Sequence, residues 1–161
     1  MITYRNAQDG DKKAFGDLER EYYKTYESLD IDSFLEPLPY QEMPEEGLTA
    51  SFETFLNSEN FFYVAESDGD VIGYVYAEIK KHNHESLYKV QEYGYINTIV
   101  VSESYRGHGV GKTLLTMAID WFKSKSIRAC VLEAMKENQK AVSFYESFGF
   151  QIGNMKMWKE L

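Results

Sequence analysis

The chain has 161 residues, 43% of them hydrophobic, with a net charge of −9 at neutral pH. That length supports one domain with a real core, and that apolar content excludes a disordered chain. The acidic balance disfavours nucleic acid as a partner, while no apolar run nears the roughly 20 residues of a membrane span and Met1-Ile2-Thr3-Tyr4-Arg5 is not a signal peptide, so a soluble cytoplasmic protein is expected.

Ile2 to Arg5 reads as a short strand, and Asp11 to Tyr26 as a helix with Ala14, Leu18, Tyr22 and Tyr26 on one face. Pro37, Pro39 and Pro44 break the next stretch into loops before a short helix from Leu48 to Leu56. Phe61 to Glu66 and Val71 to Ile79 pair across the hairpin signal Asp68-Gly69-Asp70. His82-Asn83-His84-Glu85 is a polar loop and a poor metal site, so no metal is expected. Tyr93 to Val101 is a central strand, and Gly111 to Lys125 a helix with Leu114, Leu115, Ala118, Ile119 and Phe122 inward. Ala129 to Ala134 is a strand holding the single cysteine, Cys130, a buried structural thiol that fits a reducing compartment. Asn138 caps the next helix, Gly149 ends it, and Phe150 to Met157 is a last strand. Meandering strands followed by strand-helix-strand-helix imply an α/β fold with a mixed, mostly antiparallel sheet flanked by helices. No repeat or second domain interrupts it, so residues 1–161 read as a single domain.

Between the central strand and the long helix lies Arg106-Gly107-His108-Gly109-Val110-Gly111-Lys112-Thr113. A glycine loop opening a helix is a place for phosphate. Glycines let backbone N–H groups turn toward an anion, and the helix start adds unpaired donors and the positive end of its dipole. Arg106 adds a planar cation. A P-loop would need a glycine where Arg106 stands, and a dinucleotide fingerprint would need two residues between Gly109 and Gly111, where only Val110 stands.

The spacing that fits is Arg-x-x-Gly-x-Gly, and here the chain resembles the GNAT superfamily of acetyl-CoA-dependent N-acetyltransferases. A second stretch, Asn138-Gln139-Lys140-Ala141-Val142-Ser143-Phe144-Tyr145-Glu146-Ser147-Phe148-Gly149-Phe150, is similar to that family's Asn-x-x-Ala-x-x-Phe-Tyr-x-x-x-Gly-Phe element. The resemblance implies a fold whose central strands splay apart to admit acetyl-CoA. The loop from Arg106 to Thr113 would hold the pyrophosphate. Backbone groups of Ile99, Val100 and Val101 would meet pantetheine, and Asn138 and Ala141 would touch the cofactor. Many members self-associate, so a homodimer is allowed.

Acetyl transfer needs a neutral amine, and free alkylamines titrate near ~10, so a base or a water must take a proton. The departing thiolate gains from an acid, and the oxyanion from an N–H donor, here Val101 or Val100. Tyr145 matches the family's tyrosine at the CoA sulfur. The usual glutamate inside the strand before the loop is missing from Tyr93-Gly94-Tyr95-Ile96-Asn97-Thr98-Ile99. Glu133 is the preferred base, since a charge in an apolar strand needs a reason. Glu92, Glu78, or a water held by Asn97 or Tyr95 are alternatives.

No lysine or arginine lies between Lys24 and Lys80, a stretch with thirteen acids. With Tyr26, Phe34, Tyr40, Phe52 and Phe55 they suggest a wall for a cationic small molecule such as a polyamine or an aminoglycoside- or streptothricin-like antibiotic. Alternatives are a peptide or protein N-terminus or lysine, and a non-catalytic acyl-CoA-binding module.

Overall fold

The computed structural model describes residues 1–26, 44–82 and 90–153. Strand β1 (Ile2–Asn6) leads through a 3-10 turn (Asp9–Asp11) to α1 (Lys12–Tyr26), and α2 (Glu45–Leu56) precedes β2 (Phe61–Ser67) and β3 (Asp70–Lys81). After β4 (Glu92–Val101) come a 3-10 turn (Glu103–Tyr105), α3 (Val110–Ser124), β5 (Cys130–Leu132) and α4 (Gln139–Glu146). The strands lie in the order β1-β2-β3-β4-β5. All neighbours are antiparallel except β4 and β5, which are parallel. This is the expected mixed, mostly antiparallel sheet flanked by helices.

Asp68 and Gly69 both have positive φ, 54° and 92°, which makes the β2–β3 connection a type I′ hairpin turn matched to strand twist. Arg5 ties β1 to its surroundings. Its Nη1 and Nη2 donate to Asp11 at 2.7 and 2.9 Å, and its Nε donates to Glu66 of β2 at 2.8 Å. Burial alone would raise the Asp11 carboxyl, but the Arg5 guanidinium and the Gln8 N–H at 2.8 Å hold it below its usual range.

Each face of the sheet has its own core. On one, Leu114, Leu115, Ala118 and Phe122 of α3 pack with Val75, Ala77 and Ile96. Stripping a side chain such as Phe122 to alanine would cost about 3–5 kcal/mol. On the other, Phe15 and Leu18 of α1 and Phe52 of α2 cover Phe62, Val64, Tyr74, Tyr76 and Val100. Phe122 requires Gly94 opposite it, because a Cβ there would sit 2.6 Å from the ring.

Several expectations need correction. The inward stripe of α1 runs through Phe15, Leu18 and Glu19 rather than Ala14. A carboxylate can stand in that stripe because the Tyr74 hydroxyl donates to it. Strand β5 is half the expected length, so Cys130 is half-buried and Glu133 is exposed beyond the strand's end. Phe52 is 1% exposed and belongs to the core, which removes it from any acceptor wall. Residues 150–153 are not strand, and the rest of the expected final strand, with Phe34, Tyr40 and His84, lies outside the described residues. No helix among the described residues is long and apolar enough to cross a membrane.

Candidate active site

The site begins with a fault in β4. Tyr76 pairs with Thr98 and the next residue, Ala77, with Ile96, so Asn97 is an extra residue bulged out of the strand. Before the bulge, the Gly94 N–H points toward the β5 side and donates to Ala129 O at 2.9 Å. After it, the Ser102 N–H points toward β3 and donates to Ile72 O at 2.9 Å. One inserted residue has reversed which residues face which neighbour.

The pairing with β5 stops at the same place. Gly94, Tyr95 and Ile96 pair with Cys130, Val131 and Leu132, and there the β4–β5 ladder ends. From Asn97 to Val101, β4 is bonded to β3 alone among the described residues. Strand alternation, counted back from Ser102, aims the N–H groups of Ile99 and Val101 at this open edge and that of Val100 at β3.

The open edge runs straight into the glycine loop. Gly107 and Gly109 have φ of 81° and 83°, a region that suits glycine, and nothing lies within 4 Å of where a Cβ would stand at either. Gly109 precedes α3, and its carbonyl accepts the first helical bond, from Thr113 N–H at 3.0 Å, with Thr113 Oγ1 adding a second at 3.2 Å. Among the described residues, the N–H groups from Gly107 to Lys112 have no acceptor. Val110 is buried and anchors the loop from within, while a Cβ added at Gly111 would stand 3.6 Å from Val101 Cγ2 and 3.8 Å from Phe144 Cζ. Lys112 is exposed, and His108 Nδ1 lies 3.0 Å from the Arg106 carbonyl. Free N–H donors beside open space and a lysine fit an anionic group such as a diphosphate.

Arg106 is already engaged. Its Nε donates to Val101 O at 3.0 Å, and its Nη2 lies 3.5 Å from Glu21 of α1.

Helix α4 carries the second cluster. Asn138 Oδ1 accepts the Ala141 N–H at 3.1 Å, the expected N-cap. At the other end, Phe150 N–H reaches Tyr145 O at 3.2 Å and Gly149 N–H reaches Glu146 O at 2.9 Å, a Schellman closure. Phe144 packs into the α3-side core. Tyr145 lies between the rings of Phe144 and Phe150, and its hydroxyl has no hydrogen-bond partner among the described residues. Burial, reinforced by the nearby Tyr26 phenol, pushes Tyr145 up to about 12, so it keeps its proton at neutral pH. Tyr26 in turn shares a hydrogen bond with Tyr22.

The candidate bases gather around Tyr95, which faces Glu78 across the β3–β4 pairing. Burial first, then the charges of Glu133 and Glu78, push the Tyr95 phenol up. Lys80 Nζ stands 3.7 Å from the Tyr95 ring centroid and 3.1 Å from Glu78, and Asn97 Nδ2 donates to Glu78 at 3.4 Å. Glu92 pairs with Lys81 at 2.8 Å, away from the splay. The acidic wall is partly neutralised by the chain itself. Glu45, Glu53 and Glu66 are paired with Arg20, Lys12 and Arg5. Among the described residues no group of side chains forms a metal site.

Sequence reasoning missed Glu19, Glu21 and the seating of Lys80 on Tyr95. Glu19 had a signal, a charge at helical spacing from Phe15. Glu21 had none, because its partners are 81 and 82 residues away.

A bulged strand that leaves its parallel neighbour and ends in a helix-capping glycine loop defines the class of mixed α/β fold to which this chain belongs. The family model described as Acetyltransferase (GNAT) family matches residues 18–150, and the chain belongs to that family. It is 32% identical over 111 residues to N-alpha-acetyltransferase 30 of Dictyostelium discoideum, covering 68% of this chain and 57% of that protein. It is 28% identical over 150 residues to an uncharacterised N-acetyltransferase of Methanocaldococcus jannaschii, covering 92% of this chain and 60% of that one. The chain thus spans about three fifths of these relatives. An aminoglycoside N-acetyltransferase solved with CoA superposes with a TM-score of 0.75 at 18% identity, over 100% of this chain and 95% of that one.

Proposed function

We propose that this protein is an N-acetyltransferase that moves the acetyl group of acetyl-CoA to a primary amine. The observation that carries the proposal is the edge of β4 from Asn97 to Val101, one-sided among the described residues, running into a loop whose N–H groups from Gly107 to Lys112 have no acceptor among those residues. The loop from Arg106 to Thr113 binds the diphosphate of the cosubstrate, and the open strand edge from Ile99 to Val101 binds its pantetheine arm. The Val101 N–H, aimed at the open edge, stabilises the oxyanion. Tyr145 gives its proton to the departing sulfur, and its elevated pKa suits a group that must stay protonated until then. Asn138 and Ala141 shape the start of α4 beside the cofactor. Glu133, just past the last β4–β5 pair, takes the proton from the amine, directly or through water. Residues 1–161 act as one domain.

For the acceptor, the aromatic and acidic cluster of Tyr95, Glu78 and Glu133 supports a small cationic amine. A peptide or protein N-terminus is a second reading, supported by the identity to N-alpha-acetyltransferase 30. The test is mass spectrometry of reactions with acetyl-CoA and a panel of polyamines, aminoglycosides and peptides with free α-amines. Acetylation of one class selects the acceptor. No product from any of them, together with no calorimetric heat from CoA, would overturn the transferase reading in favour of neither class.

A further inference from the structure

Glu21 of α1 takes two hydrogen bonds and one ion-pair contact from the connection between β4 and α3. Ser102 Oγ donates to one carboxylate oxygen at 3.1 Å. The Glu103 N–H donates to the other, which also lies 3.5 Å from Arg106 Nη2. Neighbouring acids of α1 are occupied elsewhere, Asp17 by Arg20 and Glu19 by Tyr74. The bonds to Ser102 and Glu103 fasten α1 to the point where β4 turns toward the loop. The contact with Arg106 is of another kind. It is long, and the two side chains are 42% and 31% exposed, so as an ion pair in water it is weak and salt-sensitive. It is an exchangeable contact, while Arg106 Nε remains anchored on Val101 O at 3.0 Å.

We infer that Glu21 is a positioning residue of the anion loop: its hydrogen bonds hold the strand-to-loop junction, and its charge competes with an incoming diphosphate for Arg106. The inference rests on the reading of this loop as the CoA diphosphate site. The two roles separate by substitution. Glu21→Gln keeps an amide oxygen to accept the Glu103 N–H, offers its NH2 to the Ser102 hydroxyl oxygen, and removes the charge. Glu21→Ala removes both hydrogen bonds and the charge.

Calorimetric titration of the full chain with CoA at about 0.01 M and about 1 M ionic strength, where the screening length falls from ~30 to ~3 Å, distinguishes them. Glu21→Gln is expected to bind CoA roughly three- to tenfold tighter than wild type at low salt, with the gain gone at high salt. Glu21→Ala is expected to bind more weakly than Glu21→Gln at both, because a lost hydrogen bond is not restored by screening. Thermal melts of each variant check that it is folded. Tighter binding by the glutamine variant that collapses with salt supports the inference. Equal or weaker binding by that variant, or identical behaviour of the two variants, overturns it. Wild-type chain that gives no heat with CoA sinks the loop reading and this inference together, whereas normal wild-type binding with an unaltered glutamine variant sinks this inference alone.

Discussion

The two halves of β4 share one strand and behave as different materials. From Glu92 to Ile96 the strand is held on both sides at its inner residues, with Gly94 pressed under the Phe122 ring. From Asn97 to Val101 it is held, among the described residues, by β3 alone. The lower half spends its backbone polarity on the sheet, and the upper half keeps Ile99 and Val101 unspent toward an open edge. A backbone donor left without a partner is costly when buried, so such an edge implies a ligand or solvent to meet it. The bulge at Asn97 is the hinge between these states. It also keeps Ile96, Ile99 and Val101 all packed against the α3-side core despite the change in pairing.

The comparison breaks most completely if Asn97 is deleted. Without the extra residue Ile96 stays opposite Ala77 and Thr98 opposite Tyr76, but the kink and added twist of the bulge are lost, so β4 continues alongside β5 and the open edge closes. CoA binding by calorimetry should become undetectable, and the melting temperature should fall. A deletion variant that binds CoA normally would show that the bulge does not build the site.

Tyr145→Phe addresses the open half without touching the strand. It should lower kcat by roughly ten- to ten-thousand-fold with CoA affinity unchanged. The pH profile sharpens this further. Because the folded phenol titrates near 12, its protonated form should persist through pH 10, and it should impose no alkaline limb on kcat below that. A limb with a midpoint at or below pH 10 that disappears in Tyr145→Phe would contradict the buried setting of the hydroxyl.

Gly94→Ala addresses the paired half. The new methyl would meet the Phe122 ring at 2.6 Å, and overpacking of this kind costs about 1–3 kcal/mol. The melting temperature should drop by roughly 2–10 °C, while kcat of the folded fraction stays near wild type. A large change in kcat with an unchanged melt would mean that the lower half takes part in the chemistry.

The smallest effect concerns the brace behind the open half. Tyr74 pairs with Val100 in the sheet and donates to Glu19 of α1. Burial raises the Glu19 carboxyl, and the Tyr74 bond only partly offsets this. A raised folded value means that stability is complete below the ordinary carboxylate range and is lost as pH rises through the folded value. Glu19→Gln should therefore melt at or a few degrees above wild type at pH 7 and match it near pH 4. A glutamine variant that melts lower at pH 7 would show that the charge itself supports the fold.

Much of this architecture is legible in the chain. The α3 stripe of Leu114, Leu115, Ala118 and Phe122 is buried as its spacing predicts, because an amphipathic helix has one way to hide its apolar face. The positive-φ positions at Gly69, Gly107, Gly109 and Gly149 are all glycines standing where turns or caps were expected. Asn138 caps α4 as its type and position imply. What failed were features set by distant partners. Phe52 resembles a binding aromatic until α1 covers it, and the acidic stretch resembles a charged wall until Lys12, Arg20 and Arg5 neutralise parts of it.

By itself the sequence determined the order of elements, the loop that turns β4 into α3, and the residues of α4 that meet it, since these follow from local conformation and short-range periodicity. Tertiary structure alone decided where β4 parts from β5, which backbone donors are left over, and that Glu21 reaches the loop from α1. Those outcomes depend on pairing and packing between residues far apart in the chain, and local pattern carries no record of them.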